Sequence, residues 1–376
     1  MLFRSMKFNI SKEKFYSLIQ KVLDIAPVRS TMPGLSNIVI EVHKDKIKMK
    51  ATDLEISITS ESEAETTGHG QLSVPGRILA ELVRELPAGQ VMVAMVDNRL
   101  ELKSERGVFK LAGVPVDSLP RIPEFDFANE VTVPGGTICR MIKKCVFAVS
   151  KEEARPALNG VLWRGVDKVL TMVATNGHIL AKMSCGGTGI KKLEKDIIVS
   201  PKVLEHFVKL YGDLEKDIGL LFSADSLVFH FEGTVLATRL IDPPYPNFEQ
   251  VIPKENDKKA MFDRDDFYSL LRRVAIVSNN ITHQVKLGFS PNSLSVSAAN
   301  FDVGAEGHDE LGVEYNGTDL EIGYNSNYIM EIVKQVDTPR VLLEFTNATS
   351  AAVVKAESYE ENEDYLFLIM PLRLVD

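Results

Sequence analysis

Ala51-Thr52-Asp53, Ala174-Thr175-Asn176 and Ala298-Ala299-Asn300 each close a β-like run. The runs are Lys46-Ile47-Lys48-Met49-Lys50, Val169-Leu170-Thr171-Met172-Val173 and Ser293-Leu294-Ser295-Val296-Ser297. The spacing is about 123 residues, far above the roughly 20–50 of solenoid repeats and close to the size of a domain. About 20 residues after each triplet an apolar strand runs into a helix. The three versions are Leu72-Ser73-Val74-Pro75-Gly76-Arg77, Ile197-Ile198-Val199-Ser200-Pro201-Lys202 and Ile322-Gly323-Tyr324-Asn325-Ser326-Asn327. Pro75, Ser200 with Pro201, and Asn325 or Ser326 are helix-start residues. Three similar domains in one chain point to an object built by symmetry rather than to a single cleft built for chemistry.

Each copy also opens with an amphipathic helix. The apolar faces are Phe15, Leu18, Ile19 and Val22, then Ile138, Ile142, Cys145 and Val149, then Phe267, Leu270, Leu271 and Val274. The remainder reads as short alternating strands such as Val91-Met92-Val93-Ala94-Met95 and Leu227-Val228-Phe229-His230-Phe231. Two helices and roughly eight strands per copy make an α+β unit with helices packed on antiparallel sheets. Polar, turn-rich stretches, Phe125 to Gly136 and Pro253 to Ala260, read as linkers.

At 376 residues and 45% hydrophobic content, the chain has material for two or three cores. No apolar run reaches the roughly 18 residues of a membrane span. No secretory leader is expected, residues 1 to 5 read as lying ahead of the first domain, and a cytoplasmic location follows. Cys139, Cys145 and Cys185 lack the spacing of a disulfide frame or zinc site, and Cys139 and Cys145, within one helix, read as packing residues. No metal or cofactor is expected. There is no phosphate-loop motif, since Gly186-Gly187-Thr188-Gly189-Ile190-Lys191-Lys192 has the wrong spacing and reads as a loop between strands. Metalloprotease and nucleophile-elbow motifs are also missing. His178 could pass for a catalytic base but reads as a turn or surface histidine, and Trp163 as a core residue.

The net charge of -9 argues against a nucleic-acid partner, but its distribution does not. The six helices, read as 11–24, 76–86, 136–150, 201–213, 264–278 and 327–336, hold 14 Lys and Arg against 9 Asp and Glu. Positive charge is therefore gathered on one class of element in an otherwise acidic chain. If equivalent helices face one axis, they form a basic wall that attracts phosphates without reading bases.

Leu158-Asn159-Gly160, Ala174-Thr175-Asn176-Gly177-His178, Arg239-Leu240-Ile241-Asp242, Tyr245-Pro246-Asn247-Phe248 and Met370-Pro371-Leu372-Arg373-Leu374 stand in order on this triple repeat. With them, the chain resembles the bacterial sliding clamp family, the beta subunits of DNA polymerase III, from Met6 to Leu374. The resemblance implies three repeated domains of the DNA clamp fold, bounded at 6–128, 129–254 and 255–376. It implies a head-to-tail homodimeric ring, helices inside, that encircles duplex DNA and has no catalytic activity of its own. It also implies a pocket for short peptides of the replicative polymerase, the clamp loader, repair polymerases and mismatch-repair proteins. Carried over by motif, its walls are Arg155, Leu158, Thr175, Gly177, His178 and Leu180, with Pro246 and Val251, and with Met370, Pro371, Leu372 and Arg373. Read without the resemblance, Leu158, Leu180 and Met370 are plain domain core.

For DNA, Arg29 matches a loop arginine of the family. The helix pattern adds Lys12, Arg77, Arg84, Arg140, Lys144, Lys202, Arg272 and Arg273. For the ring junction the resemblance points to Phe109 on one protomer and to Ile276 with Val277 on the other; the last two could instead cover their own domain's core. Ile179 and Gln250 stand where relatives often carry arginine, which implies a less basic pocket rim. Glu152 and Pro156 depart from the family at a DNA-contacting loop, and Val375-Asp376 extends past the usual end toward the pocket mouth. The competing readings are a repeat-built interaction scaffold unrelated to DNA, and an enzyme using His178 as base.

Overall fold

A computed structural model describes residues 6–374 other than 31, 33, 97, 117–119 and 213. The expectations for residues 1 to 5 and for Val375-Asp376 fall outside these residues. The first copy contains β1 (Lys7–Ser11), α1 (Lys12–Leu23), β2 (Asn37–His43), β3 (Lys46–Thr52), β4 (Ile56–Glu63), β5 (Glu65–Thr67), β6 (Gly70–Pro75), α2 (Gly76–Glu85), β7 (Gln90–Val96), β8 (Arg99–Lys103) and β9 (Val108–Ala112). The second contains β10 (Val131–Pro134), α3 (Gly135–Val146), β11 (Val161–Val166), β12 (Val169–Thr175), β13 (Ile179–Gly186), β14 (Ile197–Val199), α4 (Pro201–Tyr211), β15 (Asp217–Phe222), β16 (Ser226–Phe231) and β17 (Thr234–Ile241). The third contains β18 (Lys258–Asp263), α5 (Arg264–Ala275), β19 (Gln284–Ser290), β20 (Ser293–Asn300), β21 (Ala305–Gly312), β22 (Leu320–Asn325), α6 (Ser326–Lys334), β23 (Arg340–Phe345), β24 (Ala352–Ala356) and β25 (Glu363–Ile369).

These copies fold into two compact units that divide the middle copy: Met1–Gly135 with Lys209–Leu240, and Gly136–Val208 with Ile241–Asp376. In the first unit one sheet runs β5-β1-β7-β8-β9. A second joins β6-β2-β3-β4 to β17, β16, β15 and β10 of the middle copy. In the second unit β14-β11-β12-β13 continues through β25-β24-β23-β18 of the third copy, beside a separate sheet β21-β20-β19-β22. Copies are thus stitched by strand pairing. Thr234↔Ser60 to Thr238↔Ile56 join β17 to β4, and Ile179↔Ile369 to Cys185↔Glu363 join β13 to β25. Val131–Pro134, within a stretch expected to be linker, pairs with β15 because Val133 has an apolar slot to fill and is fully buried.

The helix stripes fall as their spacing requires. Phe15, Leu18, Ile19 and Val22 are the buried residues of α1, and Phe267, Leu270, Leu271 and Val274 those of α5. Each such burial is worth about 1.5–3 kcal/mol. Ser11 caps α1 by accepting from the Lys14 N–H, and Asn325 caps α6 by accepting from the Asn327 and Tyr328 N–H groups. α3 is shorter than its pattern and stops at Val146, so Val149 lies beyond it, half-buried. Cys139 and Cys145 are buried packing residues, and Trp163 is fully buried in β11. Among the described residues no helix is long and apolar enough to cross a membrane, and no cluster of metal-ligating side chains occurs.

The triplets that define the repeat are turn devices. Thr52 Oγ1 donates to the Ile56 carbonyl (2.8 Å), while Asp53 Oδ1 accepts from the N–H groups of Glu55 and Ile56. Thr175 Oγ1 donates to the Ile179 carbonyl (2.6 Å), while Asn176 Oδ1 accepts from His178 and Ile179. The same bond pattern forces the same left-handed residue, Leu54 at φ 82° and Gly177 at φ 89°.

Candidate functional site

In the second unit several of the residues expected to wall a peptide pocket gather around the Thr175–Ile179 turn. Leu180 leaves that turn into an apolar floor formed with Leu162, Val173, Ile198, Phe248, Ala351 and Leu368. Tyr245 and Ile252 pack against the same floor, so the exposed Pro246 and Val251 stand at its edge. Leu158 is also buried, in the short turn Pro156–Asn159. Gly160 after it has no room for a side chain, because a Cβ would lie 2.6 Å from Ile198 Cγ2 and 2.9 Å from the Val199 carbonyl. Leu158 and Leu180 are therefore buried, whereas Val251 and Met370 are 54% and 40% exposed.

The end of the chain closes one side as a strap. The Met370 N–H donates to the His178 carbonyl (2.8 Å). Leu372 bridges to Gly323 of β22, and Gln284 Nε2 donates to the Arg373 carbonyl (3.2 Å). The His178 ring stacks on Tyr328 of α6, centroids 5.8 Å apart and planes 17° apart. Tyr328, Gln284 and Gly323 have no motif of their own and were not among the sequence candidates; only the fold brings them to the turn. Arg155 Nη1 lies 3.5 Å from where a Gly177 side chain would begin. An apolar floor with a few polar groups at its edge suits recognition of a short extended segment. His178 is oriented by an aromatic face, and among the described residues no carboxylate bonds it, so the base-plus-orienter geometry of a catalytic histidine is lacking. Ile179 needs correction as a rim residue: it is 2% exposed, turned into the sheet opposite Ile369, whereas Gln250 is exposed.

Of the cations expected to face DNA, Arg29, Arg77, Arg84, Lys202, Arg272 and Arg273 are exposed and Lys12 is half-exposed. Arg84 pairs with Glu85 at 2.9 Å and Arg273 with Asp309 at 2.6 Å, while Arg272 lies over the Tyr268 ring. Exposed pairs of this kind are worth only about 0–1 kcal/mol, so a phosphate can compete for these arginines. Lys144 is different, and the expectation that it faces DNA is overturned. It is 4% exposed, Nζ bonded to the Gln335 carbonyl and to Asp337 Oδ1 (2.7 Å), above the Tyr365 ring. Burial pulls its ammonium below the ordinary lysine range, against the opposing pull of Asp337. Arg140 is corrected likewise: half-buried, it is held by Asp337 (2.9 Å), Glu363 (2.8 Å) and Glu360 (3.4 Å). Burial pushes the Glu363 carboxyl upward, with Arg140 opposing. Lys143, on the same helix, is exposed.

The expected junction residues sit at sheet edges. Phe109, 39% exposed, lies on β9, which ends its sheet. Ile276 follows α5 and is 81% exposed, so it does not cover its own domain's core. Val277 is half-buried against Gly307 of β21, the end strand of the third copy's separate sheet.

Three family models match the chain. They are the DNA polymerase III beta subunit N-terminal domain over residues 6–123, its central domain over 132–247 and its C-terminal domain over 249–373. The beta sliding clamp of Caulobacter vibrioides is 30% identical over 380 residues, covering 98% of this chain and 100% of the relative. That of Chlamydia pneumoniae is 29% identical over 372 residues, covering 99% and 100%. Among solved structures, a DnaN sliding clamp from Pseudomonas aeruginosa bound to griselimycin superposes with a TM-score of 0.92 at 26% identity, covering 98% of this chain and 100% of that one. The C. crescentus beta sliding clamp, with PEG bound to a region described as a beta-motif tethering region, gives 0.92 at 29% identity with the same coverage. With its three-domain clamp fold, the chain belongs to the beta sliding clamp family, the DNA polymerase III beta subunits that serve DNA replication as processivity factors rather than as catalysts.

Proposed function

We propose that two copies of this chain close head to tail into a cytoplasmic ring around duplex DNA, each copy built of clamp domains at 6–128, 129–254 and 255–376. One observation carries this reading: the β9 and β21 sheet edges, beside the expected junction residues, have opposite charge. The end of β8, the turn after it and β9 carry Lys103, Arg106 and Lys110 against one acid, Glu105, beside exposed Val108 and Phe109. The β21 edge carries Glu306, Asp309 and Glu310, and Val277, next to exposed Ile276, packs on Gly307 of the same strand. Strand addition of one edge to the other satisfies both backbone ladders and brings these charges together. Because the two edges differ, two equivalent junctions are needed to close the ring. Light scattering tests it: the mass in solution is expected near twice 41.8 kDa. Protein loaded on a nicked circle should be retained and then lost on linearisation. A monomer, or retention that ignores linearisation, rules the ring out.

Within the ring, weak phosphate contacts from exposed helix cations permit sliding. The corrected placements separate two neighbours. Lys143→Ala is expected to reduce the salt slope of DNA retention by up to about one unit with little change in stability. Lys144→Ala should leave the slope alone and destabilise the fold by about 1–3 kcal/mol, since it removes buried partners of Gln335 and Asp337. The opposite pattern in salt titrations and thermal melts would return Lys144 to the DNA side.

The pocket of the second unit takes short peptides of the replicative polymerase, the clamp loader, repair polymerases and mismatch-repair proteins. Exposed Val251 and Met370 above a closed apolar floor support this, because they offer apolar area without a cost in core packing. Arg155, His178 and Arg373 supply the polar groups that orient a bound segment.

A further inference from the structure

The strap that closes the pocket has a second side. Beyond it, on the face of the β21-β20-β19-β22 sheet away from α5, lies a groove of about 1260 Å³ with Leu374 at its margin. One in-register row crosses this face: Leu372 bridges Gly323, which pairs with Lys286, then Ser297, then His308 on β21. The floor is shallow because Ser297 and Ala299 are small. Two loop tips fence it, Ile281 at 87% and Phe301 at 93% exposure. Neither side chain has a packing role in its own domain at that exposure, and both are large and apolar. The groove is also acidic. Lys286 is tied to Glu321 at 2.9 Å, while Glu306 has no ion-pair partner among the described residues.

Resting on the peptide-pocket reading above, we propose that this groove is an accessory subsite of that pocket, occupied by the residues flanking a bound anchor segment. From Gly323 on β22, where the strap bridges, to β21 the row spans three strand spacings, about 14 Å, which an extended segment crosses in about four residues. Charge complementarity fixes their chemistry: an apolar residue against Phe301 and a basic one at Glu306. Partners are then discriminated by their flanks as well as by their anchors.

The test uses the full-length protein and fluorescence anisotropy. The probes are a labelled Leu/Phe-anchored hexapeptide and the same peptide extended by Lys-Leu-Lys-Leu at either terminus. One extension is expected to tighten binding about tenfold. The gain should vanish in Ile281→Ala/Phe301→Ala, which alters exposed side chains only, leaves the acidic junction edge intact and should keep the hexapeptide affinity and the oligomeric mass. The subsite is overturned if neither extension helps, if the gain survives the double variant, if a Lys-Ser-Lys-Ser extension does equally well, or if the variant changes mass, which would assign the groove to a second copy. A hexapeptide that binds equally well after removal of residues 370 to 376 instead refutes the pocket itself, and the subsite with it.

Discussion

Ile276→Asp is expected to leave the chain folded and release it as a monomer near 41.8 kDa. The residue is 81% exposed, directly after α5, so the substitution opens no cavity within the domain. At the proposed junction it has two effects. It removes an apolar side chain whose burial is worth about 1.5–3 kcal/mol. It also places a carboxylate in the proposed junction core, beside Arg272 and Arg273, where taking that charge out of water costs several kcal/mol. Together these weaken each junction by at least about 3 kcal/mol, on the order of a hundredfold. A closed ring has two such junctions, so its closure suffers twice. Sedimentation at micromolar concentration should show the monomer, with the thermal midpoint within about 2 °C of the parent, and retention on circular DNA should be lost. Ile276→Val should remain dimeric. A dimer that survives the aspartate would place the junction elsewhere.

The parts of this molecule that were legible from residues alone are those whose partners are near in sequence. Asp53 and Asn176 bond N–H groups two and three residues on, so their turns can be read from the triplets themselves. The stripe from Phe267 to Val274 needs only helix periodicity, and Asp263 caps its own helix. Lys144 could not be placed that way. Its carboxylate partner, Asp337, lies 193 residues away, and a lysine with two exposed-looking neighbours on a basic helix gives no hint of burial. Ile179 misleads for the same reason, because β25, which faces it, is supplied by another copy. The division into two units was equally hidden, since it follows from β17 pairing with β4 rather than from any linker composition. In the pocket, the turn was legible and Tyr328, which stacks on it, was not.

Removing residues 370 to 376 is expected to weaken binding of a Leu/Phe-anchored peptide by at least about a hundredfold while the protein stays dimeric. Met370 and Leu372 hold the strap by backbone bonds to His178 and Gly323, both of which belong to elements fixed independently of it. β13 remains paired with β25 through Ile369, and β22 with β19, so the deletion takes away a wall and leaves the floor. What is lost is apolar contact area at Met370, Pro371 and Leu372 and the cation of Arg373. Central apolar contacts of this kind typically carry about 2 kcal/mol or more each, so the loss of two suffices for the expected change. A milder variant separates contact from architecture. Met370→Ala keeps the strap's backbone bond to His178 and should weaken the peptide about tenfold, with the thermal midpoint unchanged because the side chain is 40% exposed. If the truncated protein binds the peptide with parent affinity, the ligand must sit elsewhere. If the truncation abolishes binding but Met370→Ala does nothing, the strap acts only by holding the His178 turn, and the apolar wall has to be assigned to Val251 and the edge beside Pro246.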